Sequence, residues 1–194
     1  MLKKPFLRLD PTFFCRPVTT VARDLLGAVL VHERCIGQIV ETEAYHESEA
    51  ACHAWQGRRS MRNRSMFAEP GTIYIYRIHQ VFCLNFSAEA RDIGAAVLIR
   101  GLEPLAGLEE MRERRPKAKN TADLLSGPGK ICQAFDLNLS HDGQSVCSPE
   151  TKLYLLKGNT YPDTAICATP RIGISKAKDL PWRYWVKPSE RVIP

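Results

Sequence analysis

Two acids and a tyrosine on alternate positions, Glu41-Thr42-Glu43-Ala44-Tyr45, are the residues of this sequence best spaced to do chemistry. They close the run Gly37-Gln38-Ile39-Val40, whose branched side chains suit a pleated, half-buried surface. A strand has a side-chain period of two. Ile39, Glu41 and Glu43 are therefore expected on one face, with Val40, Thr42 and Ala44 on the other. An acid leaving an apolar strand beside an aromatic ring can be desolvated into a general base. Taken alone, the stretch more often describes an exposed strand end whose acids pair with surface arginines.

Further candidates lie downstream. Arg58, Arg59, Arg62 and Arg64 fall together without an acid among them, in a polar stretch that has no clear period. They fit phosphate contacts or a solvated loop. Tyr74 and Tyr76 share one face of a strand, a pattern that means core more often than ligand platform. Arg112, Arg114, Arg115, Lys117 and Lys119 read as a solvated helix end. Lys130 follows Gly127-Pro128-Gly129, where a helix N-terminus could hold an anion, although the spacing of a phosphate loop is missing.

The elements that must position these residues follow from local signals. Asp10 before Pro11 predicts a capped short helix ended by Arg16-Pro17, and Thr19 or Thr20 is expected to cap a second helix stopped by Gly27. Residues 28–32 predict a strand that pairs with the acid-bearing strand 36–42 across a turn at 33–37. Residues 71–86 read as a hairpin with Arg77, His79 and Gln80 at its tip and Phe82, Leu84 and Phe86 sharing a face of the returning strand. Residues 95–99 predict an apolar strand ending on Arg100, and Pro104 is expected to open a helix reaching about Arg115. Residues 124–135 are helical in character but broken at 127–129. Residues 153–156, 171–175 and 182–186 predict short strands.

The 194 residues, 44% hydrophobic and 25% charged, suit one soluble domain (residues 1–194) with a full core. The net charge of +6 favours a polyanionic partner, weakly. Seven cysteines stand singly with no Cys-x-x-Cys pair, so neither a disulfide framework nor a zinc ribbon is suggested. They read as small apolar fillers in a reducing cytoplasm. Residues 1–5 lack the apolar run of a signal peptide, and no stretch has the roughly 20 apolar residues of a membrane span.

Taken in order, several blocks resemble the alkyladenine (3-methyladenine) DNA glycosylase family. They are Val40-Glu41-Thr42-Glu43-Ala44-Tyr45, Cys52-His53-Ala54, Arg62-Asn63-Arg64-Ser65-Met66-Phe67 and Pro70-Gly71-Thr72-Ile73-Tyr74-Ile75-Tyr76. Arg100-Gly101-Leu102-Glu103-Pro104-Leu105, Ser126-Gly127-Pro128-Gly129-Lys130-Ile131-Cys132 and Arg171-Ile172-Gly173-Ile174 continue the series. The resemblance implies an α+β domain with a curved antiparallel sheet and a protruding hairpin. It also implies a monofunctional enzyme, with no metal or cofactor, that removes damaged purines from double-stranded DNA after base flipping. By that resemblance Glu43 is the general base, Arg100 orients it and its water, and the Ile174 carbonyl helps hold the water. Tyr45 and Tyr76 sandwich the base, His53 lines the pocket, and Asn85 at the pocket floor turns away guanine. On the residues alone, Asn85 is an ordinary strand asparagine satisfied by backbone.

The hairpin tip departs from the family. Where relatives carry Tyr-Gly as a minor-groove wedge, this chain reads Arg77-Ile78-His79-Gln80, with His79 the best candidate wedge. A cytoplasmic monomer with no membrane contact is the simplest expectation. Two other readings compete: a damaged-nucleic-acid-binding module without chemistry, and a thiol or metal enzyme built on Cys52-His53.

Overall fold

The computed structural model describes residues 7–192; the N-terminal stretch 1–5 discussed above lies outside them. Helix α1 (Pro11–Phe14) begins as its sequence dictates. The Asp10 carboxylate accepts from the Thr12 amide at 2.8 Å, and Pro11 occupies a position whose amide would have no helical acceptor. Helix α2 (Val18–Asp24) starts directly after Pro17, so neither Thr19 nor Thr20 caps it. Its first amide, Val18, donates instead to the Glu89 carboxylate at 2.9 Å, a tertiary cap from a residue 71 positions away.

Strands β1 (Val29–His32) and β2 (Cys35–His46) pair around the tight turn Glu33-Arg34, with Glu33 at φ 53°. Strands β3 (Ile73–Ile78) and β4 (Val81–Ser87) form the expected hairpin, its tip reduced to His79-Gln80. β5 (Ala95–Ala106) follows, then β6 (Leu153–Leu156), β7 (Ile166–Thr169) and β8 (Arg183–Val186). Among the described residues these eight strands make one antiparallel sheet in the order β3-β4-β5-β2-β1-β6. β8 pairs with residues 41–43 of β2 and carries β7 on its other edge. With helices α3 (Leu108–Arg114) and α4 (Pro128–Ala134), this is the expected α+β architecture.

Three local expectations are corrected, and one strand, β7, was not foreseen. β5 does not stop at Arg100 but runs through Gly101 and Pro104 to Ala106, and Pro104 lies opposite Gly37 in β2. The helix therefore begins later, after Gly107, whose left-handed φ of 76° turns the chain out of the sheet. Residues 171–175 form no strand; bends there carry Arg171 inward. β7 carried no clear strand signal because its positions 166–169 are half-buried or exposed and do not alternate between buried and exposed.

The sheet separates two environments. Phe14, Val21, Leu25, Ile39, Ala44, Ile73, Ile75, Leu84, Phe86, Val97 and Ile99 belong to the main core, covered by α1, α2 and α4. Tyr74, Ala96, Cys52, Met66 and Phe67 form a smaller cluster against which Tyr45 and Tyr76 pack. Alternation along β3, β4 and β5 assigns each residue to one side or the other.

Candidate active site

The acid-bearing strand breaks its own alternation at the place where the site is built. Ile39 pairs with Leu102 and Glu41 with Gly101, so Val40 is passed over; Thr42 then pairs with Ile99, and Arg100 is passed over on the opposite strand. These two bulges correct the expected face of Ile39, which joins the core with Ala44 while Glu41 and Glu43 turn to the other side. Bulges commonly re-aim side chains beside functional sites, and here they place Arg100 between the two acids. Gly101 permits the close approach, since a Cβ there would stand 3.0 Å from the Cβ of Glu41.

Glu43 is fully buried at the floor of a cavity of about 750 Å³. Tyr45 donates its hydroxyl to Glu43 Oε2 at 2.8 Å, and the Ile172 amide donates to Oε1 at 2.8 Å. Arg100 Nε stands 3.5 Å from the same Oε1. Burial raises the Tyr45 hydroxyl far above the ordinary phenol range, with the Glu43 charge acting in the same direction, so this donor stays protonated. Glu41 holds Arg100 Nε at 3.1 Å and Arg183 Nε at 2.6 Å through one oxygen. Acids and arginines thus alternate from the cavity floor toward β8.

Aromatic side chains make the adjoining wall. Tyr74 and Tyr76 rings lie 5.5 Å apart, and the His53 ring meets Tyr76 edge-on at 4.7 Å. His53 Nδ1 shares a hydrogen bond of 2.8 Å with the Tyr74 hydroxyl. Burial lowers the His53 pKa, the nearby Arg62 guanidinium lowers it further, and the ring is neutral at pH 7. The residue as a whole is nonetheless exposed, although its ring packs against those of Tyr74 and Tyr76. Asn85 lines the cavity, and its amide nitrogen donates to the Tyr74 and Cys83 carbonyls, both at 3.1 Å. With both amide protons taken by backbone, its oxygen is the group left for a ligand. Ile174 lies on the rim with Ile172 and Gly173.

The residue that sequence reasoning missed is Arg171. Its side chain has no exposed surface. It donates to the Ala44 carbonyl at 2.9 Å, pairs with buried Glu49 at 2.6 Å and stacks 4.5 Å from the Tyr45 ring centroid. It thereby anchors the segment whose next amide, Ile172, binds Glu43. Its only signal was membership of the block Arg171-Ile172-Gly173-Ile174, there read as a strand.

The candidate phosphate contacts separate. Arg58 lines the cavity, whereas Arg59 pairs with Asp92 at 2.9 Å and stacks on Phe67. Arg62 lies 5.2 Å from the Tyr76 centroid, and Arg64 opens a short 3₁₀ turn (Arg64–Phe67) with its side chain in solvent. His79 stands exposed at the hairpin tip, flanked by exposed Ile78 and Val81. Lys130 lies within α4 and is paired with Asp123, so the anion site imagined for it is taken by a neighbouring acid. The thiol-enzyme reading fails on chemistry: burial pushes the Cys52 thiol up to about 12, leaving no thiolate near neutrality. Among the described residues no group of three or more His, Cys, Asp or Glu side chains is arranged to hold a metal ion, and no helix is long and apolar enough to cross a membrane.

A buried acid held by donors at the foot of an aromatic-walled cavity makes this the candidate active site. The model for Methylpurine-DNA glycosylase (MPG) matches residues 12–190, and the chain belongs to that family. It is 43% identical to a protein of Rhodopseudomonas palustris over 95% of this chain and 90% of the relative. Identity is 42% to one of Chlorobium phaeobacteroides (94% and 93% covered) and 40% to one of Carboxydothermus hydrogenoformans (95% and 97%). Each of these is named "Putative 3-methyladenine DNA glycosylase".

Proposed function

We propose that this protein hydrolyses the N-glycosidic bond of alkylated or deaminated purines in double-stranded DNA, after rotating the nucleotide out of the helix. The observation that carries the reading is Glu43: a carboxylate without solvent exposure, fixed by Tyr45, Ile172 and Arg100 at the foot of the tyrosine-walled cavity. Extrusion of a base costs a few kcal/mol, least for a damaged one, and stacking of about 1–3 kcal/mol per base offsets it. Tyr45 and Tyr76 supply that stacking, and His53 and the Asn85 oxygen supply edge contacts.

Glu43 takes a proton from a water also held by the Ile174 carbonyl; the water oxygen bonds to C1′ as the bond from C1′ to the purine nitrogen breaks, its electron pair leaving with the base. The carboxylate charge stabilises the cationic sugar of the transition state, and Arg100 keeps the carboxylate aimed. An N3- or N7-alkylated purine departs as a neutral base, whereas a neutral lesion departs with negative charge that must be protonated or solvated. Arg58 at the cavity wall and Arg62 and Arg64 outside it contact phosphates. Arg59 joins them if its pair with Asp92 opens, and His79 fills the vacated stack from the hairpin tip.

The test is single-turnover base release from duplexes holding one hypoxanthine, one ethenoadenine or one methylated purine. Glu43→Gln is expected to slow release by about 10²–10⁴-fold with folding and DNA binding retained. Equal release by both proteins would move the base elsewhere, and binding without release by the wild type would favour the non-catalytic module.

A further inference from the structure

Two of the three tyrosines that line the cavity, Tyr45 and Tyr76, have a guanidinium against them, and neither arginine is among the cavity-lining residues. Arg171 lies 4.5 Å from the Tyr45 centroid and Arg62 lies 5.2 Å from that of Tyr76. A cation against one face of an aromatic ring draws the negative π density toward itself, so the face turned to the cavity is a poorer partner for a second cation. Charge pairing decides which arginine matters more. Arg171 is neutralised by Glu49 at 2.6 Å, just as Glu41 is flanked by Arg100 and Arg183 and Glu43 by Arg100. Arg62 has no acid within ion-pair distance among the described residues; it donates only to the Arg77 carbonyl at 3.3 Å. Its field at the wall is felt by three neighbours. It lowers the pKa of His53, second to burial, and it opposes the rise that burial gives Tyr74 and Cys83.

We propose that Arg62 determines charge specificity: from behind Tyr76 it biases the cavity against purines that carry a positive charge and toward neutral damaged purines. This rests on the glycosylase reading above and refines its substrate class. The bias acts at two stages. A flipped N7-methylguanine brings its positive charge toward Tyr76 and is repelled. Hypoxanthine enters neutral and builds negative charge as its bond to C1′ breaks, and the guanidinium attracts that charge. Uniform binding of DNA phosphate by the same arginine changes both substrates alike and leaves their ratio unaltered.

The experiment compares single-turnover release of 7-methylguanine and hypoxanthine from the same position of one duplex by the wild type, Arg62→Gln and Arg62→Lys. The methylguanine-to-hypoxanthine rate ratio is expected to rise about 2–5-fold in Arg62→Gln, the range of a surface cation–π contact, and to stay near the wild-type value in Arg62→Lys. In parallel, NMR titration of the His53 ring is expected to show its pKa rising in Arg62→Gln. Rates that fall by one common factor, with His53 unmoved, would overturn the proposal and leave Arg62 as a phosphate contact. If the wild type released neither base, the glycosylase reading would fall. The charge bias would then be judged by binding to the same two duplexes: a methylguanine-to-hypoxanthine affinity ratio that rises in Arg62→Gln supports it and an unchanged ratio overturns it.

Discussion

On one face of the sheet Phe14, Ile75, Leu84, Phe86 and Ile99 pack with almost no exposed surface, under helices α1, α2 and α4. On the other face, a few ångströms of backbone away, Glu43, Arg100, Tyr45 and Arg171 are buried or half-buried with their charges and hydroxyls held by named partners. Burial on the first face is non-directional, so its contribution follows from area and fit. On the second face each buried charge is tolerable only beside its partner, and the partners determine where each atom points. Stability and function are therefore separable on the core face and made by the same contacts on the cavity face.

The largest effect is expected at the cavity face. Arg171→Met leaves Glu49 buried without its cation, which costs about 3–5 kcal/mol, and it frees the segment that supplies the Ile172 amide. Unfolding midpoint and base-release rate should fall together. Adding Glu49→Gln should return much of the stability without returning the rate. Full activity in a folded Arg171→Met protein would dissolve the contrast between the faces.

Phe14→Ala sharpens the comparison from the core side. Its ring packs 5.1 Å from Phe13 and 6.1 Å from Phe86, and it has no contact with the cavity. Denaturant unfolding should report a loss of about 3–5 kcal/mol, while release per folded molecule stays unchanged. A parallel loss of release would mean that the core face transmits its packing to the site.

The smallest effect concerns the polar group at the far end of the core side. His32 is buried with Nδ1 2.8 Å from the Phe135 carbonyl, and burial lowers its pKa below the ordinary 6.5. A depressed folded-state pKa means that the unfolded chain binds the proton more tightly. The stability due to neutral His32 is therefore complete above about 6.5 and is lost as pH falls through the folded value. The gap in unfolding midpoint between wild type and His32→Gln should narrow from pH 8 to pH 5. A gap independent of pH would show that His32 contributes by packing alone.

Much of the scaffold was legible because it rests on local chemistry. The Asp10-Pro11 cap, the hairpin with its polar tip, the alternation of Tyr74 and Tyr76 against Phe82, Leu84 and Phe86, and the strand 153–156 follow from turn residues and a period of two. Gly101 and Pro104 misled for the same reason. Locally they end a strand and start a helix, whereas register shifts between β2 and β5, the paired bulges at Gly101 and a separate one beside Pro104, absorb both within a continuous strand.

The sequence by itself determined which residues could do chemistry and the strands that carry them: Glu43 on β2, Arg100 on β5, the tyrosines on β3. It did not contain the geometry that makes them a site. That Ile39 turns to the core while Glu41 and Glu43 do not depends on pairing with a strand some sixty residues away. That Glu43 is held at all depends on Ile172, 129 positions along the chain, and on Arg171 beneath Tyr45. Such contacts are invisible to local pattern because no propensity or period links residues so far apart. Only closure of the sheet brings a buried acid to its donors, and only the requirement that a buried charge have a partner explains why Arg171 stands where it does.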